Sequence, residues 1–365
     1  MSPVTLTYKV VKDVPIKLDV YLPENRQNGV RLPAVVYFHG GGLVLGSRHC
    51  EDLFPTWLQG ELCTSPSSTE LLLCSILFSA RTNAAGYAFI SADYRLIPTG
   101  PTTGHDVVED IKDVFAFLRG QDLKIAHENG DEVLLDPGKI AVSGSSAGGL
   151  CAYLSVIHVT PKPAAALPIF AMGGDFLTGY FTPRTEPFLG GRELVDASRF
   201  TNYIHPLSSK VASDLISESQ LAFVPNSNPP IPANPRMGLT FLYFQLGTYL
   251  DYYTGQHEPS LSAALRDASK DGLQGTIPER HRALFPQLNV DSSWPPTYLL
   301  HGEEDTAVSV DESKNMHRLL KDAGVNATLK LVPGQDHYFD IGPNTEELYS
   351  QIYDEVVEFL KNHLC

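Results

Sequence analysis

A chain of 365 residues with 43% hydrophobic and 19% charged side chains can build one large core carrying an insertion, or two modest domains. Its formal net charge of −15 keeps it in solution and argues against nucleic acid or an anionic lipid surface as a main partner, since both would repel it. The longest apolar run, residues 71–78, is far too short to span a bilayer.

Residues 1–13 alternate polar and apolar side chains and lack the basic-then-apolar layout of a secretion signal. Five cysteines (Cys50, Cys63, Cys74, Cys151 and Cys365) make an odd number without metal-ligand spacing. A cytoplasmic protein with free thiols and no metal is the expectation.

Taken in chain order, the first element reads as a hairpin strand. Ile16, Leu18, Val20 and Leu22 alternate with Lys17, Asp19 and Tyr21, the period of a strand with one buried face. Residues 33–38 form a continuous apolar run, typical of a strand covered on both faces. Similar runs recur at 87–92, 139–143, 168–172, 297–300 and 327–332.

Helical stripes lie between several of these runs. Val107, Val108, Ile111, Val114, Phe115 and Leu118 form one, opposite Glu109, Asp110, Lys112 and Asp113. Met316, Leu319, Leu320 and Ala323 form another, with Gly324 as its stop. The last uses Leu348, Ile352, Val356, Phe359 and Leu360, and Asn344 with Glu347 resembles a capping box at its start. Buried strands alternating with amphipathic helices predict an α/β fold with a mostly parallel central sheet flanked by helices.

Two stretches break the alternation. Residues 175–291 are rich in proline and aromatic side chains and show no clean strand, which reads as a cap inserted into a core of 1–174 and 292–365. Its aromatic residues either line a substrate pocket or form the cap's own small core. Residues 60–80 interrupt a helix-like stretch from 52 to 85, mixing Ser and Thr with an apolar centre. They are either a translated, unspliced intron or a lineage-specific surface loop. Transcript reads running unbroken through 60–80 as the main species would exclude the intron.

The run at 139–143 leads into Gly144-Ser145-Ser146-Ala147-Gly148-Gly149 and then a stretch, 150–158, that can be helical. This is G-x-S-x-G in the setting it needs: a strand, a strained turn and a helix, projecting the Ser146 hydroxyl at the top of the sheet. Upstream, His39-Gly40-Gly41-Gly42 directly follows a buried strand. A serine attacking a carbonyl builds negative charge on oxygen, which pre-aimed donors must hold. The N–H groups of Gly41, Gly42 and Ala147 are the candidates for that oxyanion hole.

A serine hydroxyl is a poor nucleophile until a base takes its proton. Among twelve histidines, His337 stands out, in a loop between the run at 327–332 and the final helix. An acid must then orient the imidazole. Asp305 follows the strand at 297–300, and Glu303, Glu304 and Asp336 are its rivals. The order Ser146, Asp305, His337 fits the serine–acid–histidine order of hydrolases with this elbow.

Together, His39-Gly40-Gly41-Gly42, Asp93-Tyr94-Arg95-Leu96, Gly144-Ser145-Ser146-Ala147-Gly148, His301-Gly302-x-x-Asp305 and Gly334-x-x-His337 resemble the hormone-sensitive-lipase branch of the α/β-hydrolases. The resemblance covers nearly the whole chain apart from the cap and residues 60–80. It implies a serine carboxylesterase acting on a small to medium, fairly apolar acyl substrate through an acyl-enzyme, with no metal or organic cofactor. It also implies that Arg95 supports the strand–loop region near the site. Two departures stand out: Ser145 replaces the aspartate usual before the nucleophile, and only about one hairpin precedes the first core strand.

Other chemistries share these residues. An amide, lactone or formamide hydrolase, an acyltransferase or a lyase would use the same triad. A non-catalytic small-molecule receptor, as in the plant gibberellin receptors that resemble this branch, has typically lost the histidine, which this chain retains.

Overall fold

In the computed structural model, the described residues are 3–24, 30–49, 81–120, 123–126, 132–187, 193–222, 224–225, 232–341 and 344–365. Residues 60–80, expected as an intron or surface loop, lie outside them.

Eight strands form one sheet: β1 (Val4–Val11), β2 (Val14–Tyr21), β3 (Leu32–Phe38), β4 (Ala88–Ala92), β5 (Leu135–Ser145), β6 (Ala166–Ile169), β7 (Thr297–Gly302) and β8 (Ala327–Val332). Their order is β1-β2-β4-β3-β5-β6-β7-β8. The first hairpin is antiparallel and β2 joins β4 antiparallel. Every later neighbour is parallel. Parallel strands need crossovers, and these carry α1 (Gly104–Leu118), α2 (Ala147–His158) and α3 (Val310–Asp322). The expected α/β architecture is present, closed by α4 (Ser350–Leu364).

Alternate residues of the central strands feed two cores. Ala34, Val36 and Phe38 of β3 join Val107, Ile111, Leu150 and Leu154 on one face. Val35 and Tyr37 join Phe89, Leu167, Tyr353 and Val356 on the other. Burial on both faces is why β3 reads as a continuous apolar run.

Three local expectations need correction. Asp19 does not face solvent: its carboxylate accepts from Thr5 Oγ1 and pairs with His49 Nδ1 at 2.9 Å and Arg48 Nε at 3.3 Å. Asp110, placed on the outer stripe of α1, is also buried, because Arg95 and Lys9 reach it from neighbouring elements. The capping box at Asn344 does not form. Asn344 is left-handed with φ 65, its side chain makes no capping bond, and the helix breaks at Tyr349 before α4 begins. Leu348 is 68% exposed as a result.

Between β6 and β7 the described residues form only short helical segments, including Leu239–Gln245 and Tyr249–Thr254. Tyr243, Tyr249 and Tyr253 are fully buried; Phe176 and Tyr249 pack on Tyr253, Tyr243 stacks on Tyr252, and all of these rings belong to the same core as β3 and α1.

Candidate active site

Register decides which loops become neighbours. Phe38 of β3 pairs with Gly144 of β5, and Ser145 pairs with Ile169 of β6. The C-terminal ends of these strands therefore lie level, and the loops that follow share one edge of the sheet.

At that edge Ser146 sits at φ 57, ψ −119, a strained backbone for a residue with a Cβ. Four backbone bonds over-determine it: Ser146 N–H donates to Ile169 O at 2.9 Å, and Ser146 O accepts from Met172 and Gly149 N–H at 3.0 Å each and from Leu150 N–H at 3.3 Å. A side chain at Gly148 would collide with the Phe38 carbonyl, so the close approach of elbow and β3 requires glycine there. Gly144 is equally enclosed, against the Gly148 carbonyl. Ser145 accepts a hydrogen bond from Tyr37 at 3.0 Å, inside the sheet.

The loop after β3 is set by what its carbonyls do. Gly41 O accepts from Val44 N and Leu45 N at 3.0 Å each and from Thr240 Oγ1 at 3.4 Å. Gly42 O accepts from Tyr249 Oη at 3.1 Å. Because the peptide is trans, a Gly41 carbonyl turned toward these donors turns the Gly42 N–H the opposite way. Gly41 has φ 104 and no room for a Cβ against the Leu45 carbonyl. Among the described residues, no acceptor receives the N–H of Gly41, Gly42 or Ala147.

His39 is buried beneath this loop, where its Nδ1–H donates to Gly40 O at 2.8 Å and Tyr94 stacks on its ring at 4.4 Å. Burial pushes its pKa down to about 4.

Asp305 meets His337 across the ends of β7 and β8, with Nδ1 donating to Oδ2 at 2.7 Å. The other carboxylate oxygen accepts from Ala307 N and Val308 N, each at 2.8 Å. Burial opposes ionisation of Asp305, but hydrogen bonds from His301 and His337 outweigh it and hold the carboxyl well below its usual range. Of the rivals, Asp336 accepts instead from Thr306 and from the His337 backbone N–H. Glu303 and Glu304 are exposed. The His337 ring packs against Phe170 at 4.6 Å and Tyr338 at 4.3 Å, both edge-on. Phe170 directly follows Ile169, the acceptor of the Ser146 N–H, so the serine and histidine loops share a wall. Among the described residues no hydrogen bond joins the Ser146 hydroxyl to His337; such bonds tighten when substrate binds.

Similarity to known proteins bears on the fold. Thermogutta terrifontis esterase 2 in its apo form superposes with a TM-score of 0.54 at 18% identity, covering 99% of this chain and 94% of the esterase. Its butyrate-bound form gives 0.54 at 19%, with the same coverage. The chain has the α/β-hydrolase fold.

The model of the prolyl oligopeptidase family matches residues 267–365, less than half of the chain. In sequence, the non-reducing polyketide synthase pkbA of Emericella nidulans is 24% identical over 99% of this chain, and the 5-methylorsellinic acid synthase of Aspergillus terreus is 25% identical over 99%. The chain spans only 14% and 13% of those synthases' lengths.

Several contributors escaped the sequence reading. His301 is a second histidine on Asp305, with Nε2 3.1 Å from Oδ2. Val308 O, an acceptor only, lies 3.0 Å from the same nitrogen, so Nε2 carries the proton. In the sequence it figured only within the His301-Gly302-x-x-Asp305 motif, with no role of its own. Glu312, buried in the first turn of α3, accepts from Gly173 N–H at 2.7 Å and from Tyr180 Oη. It thereby holds the loop whose Met172 N–H binds Ser146 O. Arg95, expected only as a support, donates from Nε to Asp110 Oδ2 at 2.8 Å and from Nη1 to Asp106 Oδ1 at 2.7 Å, tying the segment after β4 to α1. A small cleft of about 110 Å³ opens between Tyr180 and Phe244 on one side and Ala307 on the other. No helix among the described residues is long and apolar enough to cross a membrane.

Proposed function

We propose that this protein is a serine carboxylesterase of the hormone-sensitive-lipase branch, cleaving small to medium, fairly apolar esters, with Ser146, His337 and Asp305 as its triad. The 2.7 Å bond from His337 Nδ1 to Asp305 Oδ2 carries the reading. It leaves Nε2 as the nitrogen that takes the Ser146 proton.

Ser146 Oγ attacks the acyl carbonyl as His337 accepts its proton, and the N–H groups of Gly41, Gly42 and Ala147 receive the oxyanion. The protonated histidine returns that proton to the leaving alcohol as the C–O bond breaks, giving the acyl-enzyme. Water, deprotonated by the same nitrogen, then adds to the acyl carbon and releases the acid with Ser146 restored. Residues 175–291 act as the cap over this centre, on a core of 1–174 and 292–365. The unpaired thiols of Cys151 and Cys365 suit a cytoplasmic location.

Support for an ester substrate comes from the likeness to an esterase known in propionate- and butyrate-bound forms and phosphorylated by paraoxon. A second reading is an acyl thioester, since polyketide synthases match over nearly the whole chain. Hydrolysis of p-nitrophenyl butyrate should fall by about 10⁴-fold or more in Ser146→Ala and by about 10⁴-fold in Asp305→Asn. Paraoxon should inactivate the unaltered protein by modifying Ser146. Activity that survives Ser146→Ala would refute the triad; thioester turnover far above ester turnover would favour the second reading.

A further inference from the structure

The cleft near the Asp305 loop has a definite chemistry. It adjoins both arms of the site: Ala307 N–H binds Asp305, and Glu312 holds Gly173, next to the Met172 that binds Ser146 O. At about 110 Å³ it suits a short arm of a substrate rather than a whole drug-sized ligand.

Most of its polar groups are already engaged. Tyr180 Oη donates to Glu312, and Glu312 also accepts the Gly173 N–H. Thr178 Oγ1 donates to Asp175 O at 3.0 Å, and Ser309 Oγ accepts from Asp311 N at 3.3 Å. Arg184 is different. Its backbone N–H is anchored on Gln245 O at 2.8 Å, but among the described residues its guanidinium has neither carboxylate nor carbonyl partner. Though solvent-exposed, the guanidinium lies over Gly179: Nη2 is 2.5 Å from where a Cβ there would stand, so the missing side chain makes its berth. A cation without a partner among the described residues, lining a cleft near the Asp305 loop, runs against a chain of net charge −15.

Resting on the serine-hydrolase reading above, we propose that this protein acts on acyl compounds bearing an anionic oxyacid group, a carboxylate or a phosphate, which the Arg184 fork binds in this cleft. Phe244 and Tyr180 supply the apolar wall for the chain linking that group to the acyl carbon. The fork matches either oxyacid through paired N–H donors.

The test compares p-nitrophenyl butyrate with mono-p-nitrophenyl glutarate, which carries a carboxylate, and butyryl phosphopantetheine, which carries a phosphate. In Arg184→Gln, the KM of one anionic substrate relative to butyrate should rise about fivefold, a modest effect because the arginine is solvent-exposed. Gly179→Ala, which evicts the guanidinium, should do the same, and Arg184→Lys should recover part of the loss. Whichever anionic substrate responds identifies the oxyacid. Unchanged KM ratios for both would overturn the proposal. Calorimetry of monoethyl glutarate and phosphopantetheine on Ser146→Ala, with and without Arg184→Gln, judges anion binding without turnover. Failure to cleave any of the three substrates would sink the hydrolase reading alone, and equal binding in both calorimetric samples would sink the Arg184 proposal alone.

Discussion

Glu312 shows how one buried side chain links pH to the loop that holds Ser146. Burial pushes its pKa up from 4.5 to about 8, against the opposing pull of Tyr180 and two backbone N–H donors. The folded chain therefore keeps this proton at pH values where the unfolded chain has lost it. The stability it contributes is fully present below about pH 4.5 and is lost as pH rises through about 8. Glu312→Gln, which keeps the shape and cannot ionise, should flatten the fall in urea midpoint measured between about pH 5 and about pH 8. A fall as steep as in the unaltered protein would show that other groups set it.

At the scale of elements, the contacts that matter are those joining pieces far apart in sequence. Asp110 on α1 receives Arg95 from the segment after β4 and Lys9 from β1, with its side chain fully buried. Lys9 also reaches Asp113, at 2.7 Å, but that carboxylate is 44% exposed. Removing one partner of a buried ion pair strands the other charge in a poor solvent, whereas water replaces an exposed partner. Asp110→Ala should lower the unfolding free energy by about 3 kcal/mol, and Asp113→Ala by about 0.5 kcal/mol or less, both read from denaturant melts. Equal effects would mean that burial does not separate the two.

At the scale of the molecule, side chains from between β6 and β7 help to shape the loops that follow β3 and β4. Thr240 and Tyr249 hold the carbonyls of Gly41 and Gly42, and Arg236 is buried with Nε on Val44 O at 2.9 Å and Nη2 on Ile97 O at 2.7 Å. Val44 N–H in turn binds Gly41 O. Arg236→Met would leave two buried carbonyls without donors. It should cost about 3 kcal/mol in stability and also lower kcat toward p-nitrophenyl butyrate, because the glycine N–H groups lose their aim. Lost stability with kcat unchanged would confine Arg236 to holding the two parts together.

The sequence by itself determined the alternation of buried strands and amphipathic helices, because that periodicity records which faces meet the core. It also singled out the elbow at Ser146, because a strained turn admits few residue types. Among neighbouring carboxylates it ranked Asp305 by motif alone; the tertiary structure decided the contact, because the ends of β7 and β8 bring His337 Nδ1 to Oδ2 and leave Asp336 to cap Thr306. The burial of Asp19 and Asp110 could not be read from period, since their partners come from other elements. The false capping box at Asn344 had a similar cause: a left-handed backbone overrode a local pattern. The cleft with Arg184 belongs wholly to the tertiary structure, as its walls come from segments more than a hundred residues apart.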